Sequence, residues 1–127
     1  MSDDVPELTY LGRPGGGPID HVECFPAPDG CTRVRFMCAE VTSLGPINGQ
    51  PDFANVEIDY QPNLLCVESK SLRLYLQSFR DKETFAEQLA VDIATEIRRA
   101  AEPTHVKVTV TQSVRGGIVT ETTAELP

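Results

Sequence analysis

The apolar residues of this chain change period twice, and the order of those periods limits the folds open to it. From Thr32 to Val41, Val34, Phe36 and Cys38 alternate with Arg33, Arg35 and Met37, the period of two that marks a strand with one face turned inward. Val56, Ile58 and Tyr60 repeat the pattern against Glu57 and Asp59, until Pro62 and Asn63 end it. From Ser69 the period lengthens. Leu72, Tyr75, Leu76 and Phe79 form the apolar stripe of a short helix. Phe85, Leu89, Ile93 and Ile97 form that of a second, which opens near Thr84, carries Arg98 and Arg99 at its C-terminal end and is closed by Pro103. Val106, Val108 and Val110 then alternate with Lys107, Thr109 and Thr111. Gly116-Gly117 supplies a two-residue hairpin connection, and Ile118 to Leu126 returns as a Thr-rich strand.

The order strand, strand, helix, helix, strand, strand places no crossover helix between single strands, which argues against a doubly wound parallel sheet. It predicts an α+β domain over residues 31–127: an antiparallel four-stranded sheet with two helices on one face, β-β-α-α-β-β. Residues 1–30 contain Arg13-Pro14-Gly15-Gly16-Gly17-Pro18, which sustains neither a helix nor a central strand, and are expected to form an irregular arm crossing the domain surface. A length of 127 residues suits one domain.

Charge and composition narrow the partners. Lys and Arg number 11 against 19 carboxylates, a formal net charge of -8, so direct nucleic-acid binding is not expected. A small basic patch for a phosphorylated cofactor remains open. The acidic Met-Ser-Asp-Asp start lacks the features of a secretory signal, and no apolar run approaches the roughly 18–20 residues of a membrane span, so a cytoplasmic protein without a membrane partner is expected. Cys24, Cys31, Cys38 and Cys66 contain no Cys-x-x-Cys pair, and His21 and His105 stand far apart; no metal site is expected, and the thiols read as small buried apolar groups.

Three clusters can carry chemistry. Thr42-Ser43-Leu44-Gly45-Pro46-Ile47-Asn48-Gly49-Gln50-Pro51-Asp52-Phe53 reads as a long loop between strands, or as the polar wall of a ligand pocket. Glu68-Ser69-Lys70-Ser71-Leu72-Arg73-Leu74-Tyr75 reads as a solvated first helical turn capped by Ser69, or as an anion site at a helix N-terminus. Thr84-Phe85-Ala86-Glu87 matches the capping box, in which Glu87 only caps; alternatively its carboxylate accepts two adjacent N–H donors of a purine-like ring.

Taken together and in order, with Ser78-Phe79-Arg80 and Arg115-Gly116-Gly117-Ile118, these clusters resemble the 7-cyano-7-deazaguanine reductases over about residues 22–118. That family's loop reads Thr-Ser-Leu-Cys-Pro, a variable pair, then Gly-Gln-Pro-Asp-Phe, and its second motif reads Glu-Ser-Lys-Ser-Leu-Lys-Leu-Tyr. The resemblance implies the tunnelling fold (T-fold), a cytoplasmic role in 7-deazaguanine (queuosine-type) metabolism for tRNA modification, NADPH as cofactor and a homo-oligomer, a pentamer or a pair of stacked pentamers, with sites at subunit interfaces.

It also implies site residues. The family's cysteine attacks the nitrile to form a thioimide that NADPH reduces; here its position is Gly45. The proton-donating aspartate maps onto Asp52, and the acidic anchor of the deazaguanine ring onto Glu87, with Glu68 and Ser69 beside it as substrate-binding positions. Ser69, Lys70, Ser71 and Arg73 map onto the element associated with NADPH, Arg73 replacing the family's lysine. Ala86 stands where the family carries a histidine. Two changes in one site favour a protein that binds a 7-deazaguanine or a similar purine- or pterin-like ring without the thioimide chemistry. The alternatives are an NADPH-dependent reductase whose cysteine has been altered, and a non-catalytic partner of other pathway proteins.

Overall fold

The computed structural model describes residues 17–127. In chain order its elements are β1 (Cys24–Pro26), β2 (Val34–Leu44), β3 (Pro51–Gln61), β4 (Leu65–Val67), α1 (Ser69–Gln77) with a 3-10 turn over Ser78–Asp81, α2 (Ala86–Ala101), β5 (His105–Gln112) and β6 (Glu121–Leu126). The order β2-β3-β5-β6 makes an antiparallel four-stranded sheet, and β1 and β4 pair separately as a small antiparallel ribbon. The α+β arrangement expected from the alternating periods, and the tunnelling fold implied by the resemblance, are present, with the ribbon as an addition.

Register explains the core. Val56 faces Val110, Ile58 faces Val108 and Tyr60 faces Val106 across β3 and β5, so all six side chains share one face. The stripe Leu89, Ile93 and Ile97 of α2 packs on that face; Ile93 and Ile97, like Val106, Val108 and Val110, are 0% exposed. The opposite face is polar, with Arg33 and Arg35 of the β2 side paired to Asp59 and Glu57 of β3. Burying the branched residues of one face while leaving the other wet is what fixes this register, since a slip of one residue would exchange the faces.

Four expectations need correction. First, residues 1–30 are not wholly irregular: residues 1–16, including most of the Pro-Gly run, lie outside the described residues, but Ile19, Val22 and Cys24 are buried and β1 pairs with β4. This segment is tied down by Val22 N–H donating to Glu96 at 2.8 Å and Glu23 N–H donating to Ser71 Oγ at 2.8 Å. Ile19 N–H donates to Leu74 O at 3.4 Å, and Leu74 is buried although it lies off the predicted stripe of α1.

Second, the strand starting near Thr32 runs on to Leu44, and the loop expected over residues 42–53 shrinks to residues 45–50. A β-bulge between Cys38 and Val41 inserts a residue into β2 and shifts its phase: Phe36 and Cys38 turn inward before it, Val41 and Ser43 after it. Third, α1 is capped by Glu68, not Ser69; the Glu68 carboxylate accepts from Lys70 N–H and Ser71 N–H, both at 2.7 Å.

Fourth, the Thr84 capping box does not form. Leu44 N–H donates to Lys82 O at 2.9 Å and Thr84 N–H to Leu44 O at 3.0 Å, so residues 82–84 run extended beside the end of β2 and the helix begins only at Ala86. Phe85 takes the cap position without a side-chain hydrogen bond. The Gly116-Gly117 turn does form, both residues having φ in the left-handed region that glycine allows, and Arg115 and Ile118 exchange both backbone hydrogen bonds across it. The continuous returning strand nevertheless starts at Glu121 rather than Ile118.

Candidate functional site

The Leu44–Thr84 ladder has a consequence for chemistry: it sets the residue 45–50 turn directly against the first turn of α2. Between them lies a cleft of about 320 Å³ lined by residues of the first and third clusters, Gly45, Asp52, Ala86 and Glu87 among them. Its third wall comes from the same end of the sheet, across β3. Gln112, Arg115 and Thr120 reach it from the β5–β6 connection, which Ser113 N–H anchors to Phe53 O at 2.9 Å.

Asp52 sits at the floor. The bulge in β2 and the β2–β3 register place it opposite Ser43, and both side chains are buried. Its Oδ1 receives no hydrogen bond of regular geometry and meets the Arg115 guanidinium as an ion pair. Arg115 joins this site with no role assigned to it from sequence; its signal was membership of the Arg-Gly-Gly-Ile turn. A buried carboxylate needs such a counter-charge. Glu87, in the first turn of α2, is exposed on the cleft, where a carboxylate is also favoured by the helix dipole.

Gly45 is buried beside them. Its N–H donates to Gln50 O at 2.8 Å and its carbonyl accepts from Gly49 N–H at 2.9 Å, a closed turn. Only Gly49 in this turn has a positive φ, so the backbone of Gly45 is one that any L-residue adopts. The space at Gly45 is narrow: a Cβ there would lie 3.0 Å from Asn48 Oδ1 and 3.3 Å from Asp52 Oδ2.

The second cluster lies elsewhere. Glu68 and Lys70 line no part of this cleft, and Ser71 is buried, its Oγ donating to Glu68 O at 2.9 Å and accepting from Glu23 N–H. Ser69 and Arg73 instead border a larger groove of about 550 Å³ between α1 and the bulged part of β2, together with Arg80. Glu68 occupies the Lys70 and Ser71 amides at the α1 N-terminus, and the two arginines are the groove's cationic side chains.

No other thiol reaches Gly45. Cys38 borders the α1 groove, and Cys24 and Cys66 are buried in the β1–β4 ribbon. Burial pushes the Cys24 thiol up to about 12 and raises Cys38 and Cys66 as well, the reverse of what a nucleophile needs. Among the described residues no three His, Cys, Asp or Glu side chains converge as a metal-ligand set, and no helix is long and apolar enough to cross a membrane.

Comparison with known proteins identifies the family. A reductase from Frankia casuarinae, named NADPH-dependent 7-cyano-7-deazaguanine reductase, is 42% identical over 111 residues, covering 87% of this chain and 89% of its own. Proteins of the same name from Bacteroides fragilis and a Chelativorans species are 47% and 49% identical, covering 93% and 91% of this chain and 82% and 80% of their own. The crystal structure of the apo archaeosine synthase QueF-Like superposes with a TM-score of 0.72 at 30% identity, covering 80% of this chain and 99% of that one. The sequence model of the family described as QueF-like protein matches residues 51–126, from the start of β3 through β6. The chain belongs to the QueF-like family of 7-deazaguanine metabolism.

Proposed function

We propose that this chain binds a 7-deazaguanine, or a closely similar purine- or pterin-like ring, in the cleft between Asp52 and Glu87, and that it does so without forming a thioimide. The observation that carries the reading is the convergence of Asp52, Glu87 and Arg115 on one cleft whose remaining wall is Gly45. The ring's edge donors find an acceptor pair in Glu87, as two N–H groups in line match the two oxygens of a carboxylate. Nitrile reduction through a covalent adduct needs a nucleophile, and glycine has none.

NADPH, the cofactor named for the relatives, has a partial fit. Arg73 and Arg80 can face its phosphates from the α1 groove, with Ser69 on the same rim, while Ser71 acts inside the fold rather than on a ligand. When bound, NADPH would supply hydride. Lys70 keeps its assignment to the same element by resemblance alone.

The protein is proposed to be a cytoplasmic homo-oligomer, a pentamer or a pair of stacked pentamers. In support, β6 and β2 short of Leu44 are the edges of the four-stranded sheet, and Ile47 and Phe85 stand exposed at the cleft at 88% and 55%. Glu68 and Ser69, remote from the cleft of their own chain, become substrate-binding residues only if a neighbouring copy presents them.

Titration calorimetry with 7-cyano-7-deazaguanine tests the ring reading. Saturable binding that is lost in Glu87→Ala is expected; a folded protein that binds nothing at millimolar ligand overturns it. Oxidation of NADPH in the same mixture would overturn the absence of reductase chemistry. Sedimentation showing only monomer would remove the interface-borne part of the site.

A further inference from the structure

The end of the cleft at Gly45 is walled by oxygen atoms. A carbon built on Gly45 would lie 3.0 Å from Asn48 Oδ1, 3.3 Å from Asp52 Oδ2 and 3.6 Å from the Gln50 carbonyl. Asn48 Oδ1 accepts from Gln50 N–H at 3.0 Å and has a second lone pair to offer. Asp52 is 7% exposed, and its two oxygens look in different directions: Oδ1 to the Arg115 guanidinium, Oδ2 toward Gly45. A group entering this corner therefore meets acceptors on the Gly45 side and a cationic donor on the Arg115 side.

Resting on the reading that the cleft takes a 7-deazaguanine ring, we propose that the ring recognised here carries a primary carboxamide at its 7-position, bound non-covalently. The amide NH2 donates to Asp52 Oδ2 and Asn48 Oδ1, and the amide carbonyl accepts from Arg115. Each neighbouring substituent fails one half of this pairing. A nitrile is an acceptor only and leaves both oxygens facing a group without a donor, a cost that falls mainly on buried Asp52. An aminomethyl cation supplies donors but sets a second positive charge beside Arg115. A carboxylate accepts from Arg115 but sets a second negative charge beside Asp52. Sites that hydrogen-bond a polar group discriminate strongly against analogues lacking the complementary atoms.

Calorimetry of the unmodified protein with four ligands decides the matter: 7-deazaguanine and its 7-cyano, 7-aminomethyl and 7-carboxamide derivatives. The carboxamide is expected to bind at least about tenfold more tightly than each of the other three, the size of one well-paired polar contact. Arg115→Met and Asn48→Ala should each reduce the ratio of carboxamide to unsubstituted-ring affinity to below about threefold, the second variant serving if the first does not fold. Equal binding of 7-deazaguanine and its carboxamide, or tightest binding of the nitrile, overturns the proposal and leaves the ring reading standing. Absence of binding by all four to a folded protein removes the ring reading and the proposal with it.

Discussion

Replacing Gly45 by cysteine asks whether the proposed cleft can hold a 7-deazaguanine in position for covalent chemistry. The backbone there needs no glycine, so the substitution stabilises through the unfolded chain by about 0.4–1 kcal/mol. Against this, the new Cβ at 3.0 Å from Asn48 Oδ1 displaces a side chain on an exposed turn at the cost of its hydrogen bond to Gln50 N–H, about 0.5–1.5 kcal/mol, and at 3.3 Å from Asp52 Oδ2 requires that carboxylate to give by a few tenths of an ångström. The two offset to within about 1 kcal/mol, which corresponds to a Tm change of a few degrees. The variant should therefore fold, with its thiol beside Asp52 Oδ2. Incubated with 7-cyano-7-deazaguanine, it should gain the full ligand mass in an intact-mass spectrum: sulfur bonds to the nitrile carbon, the thiol proton ends on nitrogen, and nothing leaves. The unmodified chain should show no adduct. A folded Gly45→Cys protein that stays unmodified at millimolar ligand would refute the claim that Asp52 and Glu87 still position a 7-deazaguanine against this turn.

Other substitutions test the supports of the site. Arg115→Ala leaves Asp52 buried without its counter-charge; because the arginine is partly exposed, the loss should be about 1–2 kcal/mol by denaturant unfolding, largely cancelled when Asp52→Asn is added. Ile97→Ala, under the sheet centre, should cost about 2–5 kcal/mol by the same measurement. His21 has its pKa raised, first by its hydrogen bond to Asp20 and then by Glu23. Its contribution is thus complete below the unfolded value of 6.5 and fades as pH rises through the higher native value, so His21→Ala should lower Tm more at pH 5.5 than at pH 8. In timed alkylation of the native protein, half-buried Cys31 should react well before buried Cys24, whose thiol stands at about 12; equal rates would contradict the ribbon packing.

The sequence was legible where one physical signal dominated. The alternation of β3 and β5 and the four-residue steps of α2 required burial on one face, and tertiary structure had no reason to override them. It misled where a local preference competed with long-range pairing. Thr84 has every attribute of a cap, yet the backbone of Leu44 holds it extended; nothing within residues 84–87 could announce that. Ser69 is a better cap by preference than Glu68, whose longer carboxylate nevertheless reaches both free amides. β4 is three residues long, too short for any period to show. The bulge did leave a trace, the passage of buried residues from Phe36 and Cys38 to Val41 and Ser43, but an extra residue looks like noise until a partner strand counts it. Asp52 and Glu87 were placed together by family resemblance, whereas Arg115 needed the sheet itself to bring it across.

The backbone ladder from Lys82 to Thr84 through Leu44 makes the Gly45 turn and the head of α2 one welded corner rather than two jaws. Such a corner cannot widen for a bulkier guest by a hinge; it can only exchange the side chains that line it. On the proposed reading, side-chain change at Gly45 and Ala86 within a held frame is how such a pocket would take a different guest, and the amides of Leu44 and Thr84 should be among the slowest near the cleft to exchange their hydrogens.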